Sequence, residues 1–598
     1  HPAADRLATP LAGDPAYWRG GDAVSVPELV RRHVIATPDA PAVIAGDTVL
    51  SYGALGDRVG ALAALLRSAG EPAGTRVGLL VDHGADLVAA IVATLAVGAT
   101  YVPLDPRYPA PRLRAMVAQA GVATVLTTAD HRAAAEAFAP VVLDLAEAPP
   151  GAGFPPPAAP DAPGYVLHTS GSTGAPKGVA QWQRNTLHQL RLHTENLRLT
   201  AADRLSVATS FGFDMAVTDT FAALVNGACA VLVDVRALGL AGLADALRRH
   251  RVSVYHSTPT VFRYLADHLA GTSEPVLPDL RAVVLGGEAV TGEDLERCRR
   301  HLPAHGVLVN GYGATEISFA VQDHLPVAAT PPRSGVLPIG SPLAGMRVGL
   351  LAADGSAAAL AGELVISSEY LATYWEGAPA DLARFDVDAD GVRRYRTGDL
   401  ARRLPDGRLV HLGRTDRQVK IRGHRVEPAD VEAALTALPG VAHAAVVADR
   451  ARGEHVLRAF VTLADATARV TAGGIRDALT AAVPDHLVPA SVTVLGELPL
   501  TPTGKIDARA LLDLAAAAPD PAASPSTATD GPVAVITAAW AEALGAPVRP
   551  DDRFFDVGGH SLLAARVHHQ LVERLGVTFP LTALYAHPTA ALLAAHLD

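Results

Sequence analysis

From Tyr165 to Gly178 the chain reads Tyr-Val-Leu-His-Thr-Ser-Gly-Ser-Thr-Gly-Ala-Pro-Lys-Gly. Thr169, Ser170, Ser172 and Thr173 bring hydroxyl donors. Gly171, Gly174 and Gly178 let backbone N–H groups approach an anion, and Lys177 adds a compact positive charge. This chemistry suits a phosphate chain. The loop is not of the Walker type: counted from Gly171, Pro176 stands where the second glycine belongs, and Gly178 where Ser or Thr belongs. The plainer alternative is a flexible surface loop. Against it, the run follows directly on Tyr165, Val166 and Leu167, which predict a buried strand.

Other residues carry chemistry only in company. Asp214 opens a helix predicted to run to about Leu224, where a lone carboxylate is simply favoured by the helix dipole. Val283 to Glu288 predicts a strand ending in a glycine turn at Gly286 and Gly287. Asn310 to Glu316 follows a strand over Val307 to Val309; Gly311 and Gly313 would let a planar ligand lie on the backbone, and Tyr312 offers a stacking face. Gly398-Asp399 reads as a turn, and Lys505 sits on a turn after Gly504. Ser561 reads as the cap of a helix with an apolar stripe at Leu563, Val567 and Leu571. A hydrolase elbow is excluded there, because Leu563 occupies the second glycine's place.

Taken in order, these strings resemble the motifs of the adenylate-forming superfamily (acyl-CoA synthetase and luciferase-like). More narrowly, they resemble a nonribosomal peptide synthetase adenylation domain fused to a peptidyl carrier (thiolation) domain. The resemblance implies an ATP- and Mg²⁺-dependent ligase that makes an aminoacyl-AMP and hands the acid to phosphopantetheine. It assigns Thr169 to Lys177 to the phosphates, stacks Tyr312 on adenine, and counts Gly287, Gly311 and Gly313 among the nucleotide-binding residues. Thr315 would contact phosphate or carboxylate, Glu316 would hold Mg²⁺, and Asp399 would bind ribose with Arg414 beside it. Asp416 falls at the hinge between lobes, Lys505 is the catalytic lysine, and Ser561 bears phosphopantetheine. Asp214 would pair with the substrate ammonium, since a buried cation needs a counter-charge.

The pocket positions implied by the same resemblance are Asp214, Met215, Thr218, His256, Val284, Gly286, Gly311, Phe319 and Ala320, with Lys505. Glycines leave room, Met215 and Phe319 refill part of it, and His256 and Thr218 supply polarity. A polar side chain such as a hydroxyl, amide or carboxylate is expected. Two places depart from the family pattern: Ala314 stands where proline is usual, and 367–374 lacks the usual glycines, so no role is carried onto it.

The elements that must position these residues follow from length and pattern. At 598 residues the chain exceeds one core, and roughly three or four domains are expected. Alternating helical and short apolar runs predict an α/β large lobe over 25–413, preceded by an Ala/Pro/Gly-rich linker at 1–24. A capping signature at Ser25 and Glu28 opens its first helix, and Tyr52 to Ala69 predicts another. Leu87 to Leu104 is uncharged, but its Ala, Gly98 and Pro103 predict a buried helix turning into a strand, not a membrane span. A small α+β lobe is expected over 414–514, a low-complexity linker over 515–530, and an all-α four-helix carrier over 531–598.

A net charge of −11 argues against nucleic-acid or anionic-membrane partners. Two cysteines, Cys229 and Cys298, give neither a disulfide framework nor a cysteine zinc site, and a cytoplasmic setting is expected. The chain opens at His1 without a basic n-region or apolar h-region, so no signal peptide is expected and a piece of a longer protein is. The resemblance implies an upstream condensation- or cyclisation-type domain, downstream synthetase domains, a phosphopantetheinyl transferase and an MbtH-like activator as partners. Competing readings are an aryl- or fatty-acyl ligase using coenzyme A, an ADP-forming NTPase, and a non-catalytic scaffold. Asp214 and the fused carrier weigh against the first.

Overall fold

A computed structural model describes residues 24–597 except 71–72, 157–162, 170–175, 271–275, 331–334, 378, 416–417, 422, 452–453, 465–470, 500–505, 518–530, 545–546, 556, 558, 560 and 582. Ser170, Gly171, Ser172, Thr173, Gly174, Asp416 and Lys505 therefore lie outside the described residues, as does nearly all of both expected linkers. The chain divides into two compact units. One comprises His1–Thr169, Pro176–Val233 and Ala246–Asp416; the other comprises Ser170–Ala175, Asp234–Asp245 and Arg417–Asp598.

Among its described residues the first unit is built on three sheets. In the nine-stranded one, Pro41–Ala45, Cys229–Leu232, Arg204–Val207, Val254–Ser257, Ala282–Gly286 and Val307–Ala314 lie side by side and parallel. Short β-branched runs separated by helices give this arrangement, because parallel neighbours need a crossover. The helices Tyr52–Ser68, Ala85–Ala96, Gln183–Leu197 and Asp214–Leu224 cover it. Ala85–Ala96 is buried at every position but Asp86 and leads into the strand Thr100–Pro103, as the uncharged run from Leu87 predicts. Tyr52 anchors the packing by donating to the carbonyls of Leu224 and Ala228 at 3.1 and 2.7 Å.

At the first helix, Val26–Ala36, Ser25 Oγ accepts from the Glu28 N–H at 3.4 Å, which is half of the expected box. The other half is diverted: Glu28 takes hydrogen bonds from Arg31 and Arg32.

A seven-stranded sheet holds the phosphate-loop stretch. Pro163–Thr169 pairs antiparallel with Lys177–Trp182, with Thr169 opposite Lys177. The loop is thus a hairpin connection, unlike the strand-to-helix turn of a Walker motif. A five-stranded sheet carries Arg393–Arg403 between its neighbours, including Leu409–Arg414, and sets Asp399 opposite Arg414.

The second unit contains a three-stranded sheet of Val441–Ala451, Glu454–Leu463 and Ser491–Val494, and the hairpin Val419–Ile421/His424–Val426. Helices Pro428–Thr436 and Ala472–Thr480 pack there around Val431, Leu435, Val446, Leu457 and Leu479. Toward its end come Pro532–Leu544, Ser561–Leu575, Ala583–Ala586 and Ala590–Leu597, four helices among the described residues of this stretch. Trp540 and Phe554, ring centroids 4.9 Å apart, are fully buried among them. Among the described residues no helix is long and apolar enough to cross a membrane, and both cysteines are buried and free.

Candidate active site

The parallel strands set the site. Registry puts His256 beside Val284 and Val284 beside Val309, with Gly286 beside Gly311. Because side chains alternate along a strand and registered neighbours share a face, His256, Val284, Gly286, Val309 and Gly311 all lie on one side of the sheet. They also lie toward the strands' carboxyl ends, where ligands bind in open α/β sheets. Asp214 opens the helix that follows the neighbouring strand Arg204–Val207.

The strand does not stop at Val309. The strand continues to Ala314 and pairs with Ser318–Pro326, so Gly311, Tyr312 and Gly313 are strand residues. A Cβ on Gly313 would stand 1.9 Å from the Ser318 carbonyl oxygen, which is why this arm needs glycine. Register shifts between Tyr312 and Gly313, leaving Ala320 as the extra residue of a bulge. At the glycine turn, Gly287 takes φ +87°, open to glycine at no steric cost.

Asp399 also lies within a strand, just after Gly398 at φ +75°, and not on an isolated turn. Its carboxylate is surrounded by donors. Tyr312 Oη donates to Oδ2 at 2.6 Å, while Arg414 Nη1 at 2.9 Å and His411 Nε2 at 3.1 Å reach Oδ1. Burial first, and then the Asp399 charge, push the Tyr312 phenol well above its usual range. Tyr312 therefore remains a donor.

Lys177 begins its strand with only 8% of its side chain exposed. Its ammonium pairs with Asp381 Oδ1 at 3.2 Å and lies 4.2 Å from the centre of the Tyr374 ring. The Tyr374 hydroxyl in turn donates to Glu316 Oε1 at 2.7 Å, and Glu316 is fully buried. Thr315 is held from behind, its carbonyl accepting from Gln181 Nε2 at 3.1 Å. At the loop's other rim, the buried Thr169 Oγ1 has no hydrogen-bond partner among the described residues.

Glu316 fits a Mg²⁺ that arrives with a nucleotide: one carboxylate, with phosphate oxygens and water completing the shell. Among the described residues no group of three His, Cys, Asp or Glu gathers into a cage of its own.

In the pocket, Asp214 and Met215 are half-buried and Thr218, His256, Val284 and Ala320 buried. Tyr165 is pushed up by burial and then by the Asp214 charge, which puts that carboxylate beside the first strand of the hairpin. The Phe319 ring occupies the space beside the glycines. A Cβ on Gly311 would come within 2.4 Å of Phe319 Cε1, and one on Gly286 within 3.5 Å. His256 Nδ1 lies 2.8 Å from Asp219 Oδ1.

On the carrier stretch, Ser561 is the first residue of its helix, one position inside the expected cap. Leu563, Val567 and Leu571 are buried as their spacing predicts. Gly559 sits against Phe554, whose carbonyl accepts the Gly559 N–H at 2.8 Å. A Cβ there would meet the Phe554 ring at 2.4 Å, so this aromatic and this glycine interlock just before the helix.

Sequence reasoning missed Asp381, Tyr374, His411, Gln181 and Asp219. Tyr374 falls in the departing 367–374 stretch, where a tyrosine takes up Glu316. Asp219 had a local signal, a carboxylate in the middle of a helix rich in apolar residues, which demands a buried partner.

Comparison with known proteins bears on the family and the fold. The family model described as the AMP-binding enzyme C-terminal domain matches 430–505, and that of the phosphopantetheine attachment site matches 534–597. Tyrocidine synthase 3 of Brevibacillus parabrevis is 33% identical over 597 residues, covering 96% of this chain and 9% of that protein. Phosphinothricin tripeptide synthetase PhsC of Streptomyces viridochromogenes is 36% identical over 612 residues, covering 98% and 53% respectively. The chain thus spans about a tenth of the first relative and about half of the second.

Among solved structures, holo-PA1221, a nonribosomal peptide synthetase protein with adenylation and carrier domains, superimposes with a TM-score of 0.78 at 26% identity, covering 96% of each chain. The architecture is that of an adenylation–carrier pair, an α/β large lobe with a smaller lobe and a helical end. The family model described as AMP-binding enzyme matches residues 30–375, more than half the chain, and this protein belongs to that family.

Proposed function

We propose that the chain activates one amino acid with ATP·Mg²⁺ as aminoacyl-AMP, releasing pyrophosphate, and transfers it as a thioester within a nonribosomal peptide synthetase. The observation that carries this reading is the placement of Asp214, His256, Val284, Gly286 and Gly311 around the carboxyl ends of adjacent parallel strands. There a carboxylate can meet an α-ammonium while the carbons beyond it enter a walled pocket.

The roles follow from chemistry. Asp214 anchors the ammonium. Tyr312 and the glycines on either side of it face adenine; ribose hydroxyls join or replace the donors now on Asp399. The loop from Thr169 to Lys177 takes the phosphates, with Asp381 holding the Lys177 ammonium in place. Glu316 would hold Mg²⁺, which offsets phosphate charge when bound. Lys505 stabilises the negative charge that develops as carboxylate oxygen bonds to the α-phosphorus and pyrophosphate leaves. Asp416 is the hinge about which the small lobe turns between the two half-reactions. Phosphopantetheine on Ser561 supplies a thiol on a long arm.

The domain limits of this reading are 25–413 and 414–514 for the two adenylation lobes and 531–598 for the carrier, with linkers at 1–24 and 515–530. Its partners are an upstream condensation- or cyclisation-type domain, downstream synthetase domains, a phosphopantetheinyl transferase and an MbtH-like activator, in the cytoplasm.

A pyrophosphate-exchange screen over amino acids, hydroxylated and α-substituted ones included, tests it. Exchange with at least one amino acid, AMP as the nucleotide product, and loss of exchange in Asp214→Ala are expected. ADP as product, or exchange undiminished in Asp214→Ala, overturns it.

A further inference from the structure

Glu316 is gripped at two points by one short segment. Its main-chain carbonyl accepts the Ala372 N–H at 2.9 Å, and its Oε1 accepts the Tyr374 hydroxyl at 2.7 Å. That segment is itself fixed from elsewhere in the fold. The strand Thr373–Trp375 pairs antiparallel with Lys177–Trp182, Tyr374 opposite Val179. Just ahead of it, Asn185 Nδ2 donates to the Leu371 carbonyl at 3.1 Å.

This register accounts for the tyrosine's other neighbours. Registered residues share a face, as do alternate residues along a strand, so Tyr374, Val179 and Lys177 lie on one side of the sheet. The Lys177 ammonium accordingly comes to 4.2 Å from the centre of the Tyr374 ring. Phe385 meets the same ring edge to face, centroids 5.3 Å apart, and Tyr374 is only 4% exposed. A ring packed this way does not swing, and its hydroxyl stays where the ring puts it.

Glu316 has no such support from its own element. It lies in the turn between Val307–Ala314 and Ser318–Pro326, where a long side chain is free to choose its direction. Mg²⁺ demands near-ideal octahedral geometry. A carboxylate meets that demand when the hydrogen bonds behind it fix its plane and direction. A buried carboxylate must also be hydrogen-bonded, and the phenol serves both ends.

We propose that Tyr374 is a positioning residue for the metal, its hydroxyl holding the Glu316 carboxylate in the direction from which it meets the Mg²⁺ carried by ATP. The inference rests on the adenylating reading, in which Glu316 is the metal's carboxylate. Tyr374→Phe isolates the hydroxyl, because the ring and its packing against Lys177 and Phe385 are kept.

Calorimetric titration of the full chain with ATP, without amino acid, tests it once in Mg²⁺ and once in EDTA. In Tyr374→Phe the dissociation constant in Mg²⁺ should rise about tenfold or more while that in EDTA holds within about twofold. Binding in EDTA also shows that the variant is folded. Since the phenol acts through the carboxylate, Glu316→Ala/Tyr374→Phe should match Glu316→Ala alone in Mg²⁺. In pyrophosphate exchange, Tyr374→Phe should need more Mg²⁺ for half-maximal rate.

An equal loss with and without the metal would make the hydroxyl a prop of the fold and overturn the inference. Unchanged binding in Mg²⁺, or a further loss in the double variant, would do the same. Tighter binding in Mg²⁺ would show that the phenol competes with the metal. Each of these leaves the adenylating reading in place. An unaltered chain that binds no ATP, or gains nothing from Mg²⁺, would sink that reading's nucleotide site and the inference with it.

Discussion

Tyr312 and Asp399, 87 residues apart, are joined by a 2.6 Å hydrogen bond from the phenol to the carboxylate. The residues assigned to base and ribose thus form one wall before any nucleotide arrives, with Arg414 and His411 on the carboxylate's other oxygen. Tyr312→Phe removes a donor to a charged group, worth about 1.5–3 kcal/mol. An ATP titration of pyrophosphate exchange should show KM for ATP raised about tenfold or more. An unchanged KM would mean that the phenol has no part in shaping the ribose site.

The buried pair of Lys177 and Asp381 separates stability from chemistry. Lys177→Met strands Asp381, whose side chain is 12% exposed, and removing one partner of such a pair costs about 3–5 kcal/mol. Urea unfolding should show that loss, and Lys177→Met/Asp381→Leu should regain most of it. Exchange activity should stay low in both, since the phosphates have lost their cation. Recovery of activity with the double variant would show that Lys177 serves the fold alone.

Acid should destabilise the first unit well before its carboxylates titrate. His168 is held down to about 3 by burial and then by Arg112, while its Nε2 meets Gln119 Oε1 at 2.9 Å. Unfolded, it titrates near the model-peptide value of about 6.5. Between these values the unfolded chain binds a proton that the folded one does not. Stability is therefore full above about 6.5 and falls toward about 3, by about 1.4 kcal/mol per pH unit for this group. His193 adds a slope of the same sign. Asp203, lowered by Arg281 against its own burial, contributes stability that is lost only as pH drops through its depressed value, below 3.8. Unfolding midpoints between pH 7.5 and 5 should decline, and less steeply in His168→Gln.

Ser561→Ala should take up neither phosphopantetheine nor an aminoacyl group, read by intact mass after incubation with a phosphopantetheinyl transferase, coenzyme A, ATP and the amino acid. Loading of the Ser561→Ala chain would place the attachment elsewhere.

What was legible in the sequence is local. The strand at Tyr165–Leu167, the helix opened by Asp214 and the apolar stripe after Ser561 are written in runs of neighbouring residues. The misreadings concern pairing. Gly398-Asp399 reads as a turn because of its glycine, yet Asp399 pairs with Arg414 on the following strand and so lies in a sheet. The partners of Lys177 and His256 lie 204 and 37 positions away, and no spacing rule reaches that far. Nor does spacing show why a side chain is excluded at Gly559, where the ring and the carbonyl of Phe554 stand in the way.

The ring of Phe319 fills the room that glycine leaves at 311, so these two positions form a single mould cast in two pieces. Anyone re-engineering the protein for a bulkier amino acid should vary them jointly: trimming the aromatic opens a chamber, whereas adding even a methyl at 311 while the ring remains closes it. Libraries that scan each position alone would pass over the productive combinations.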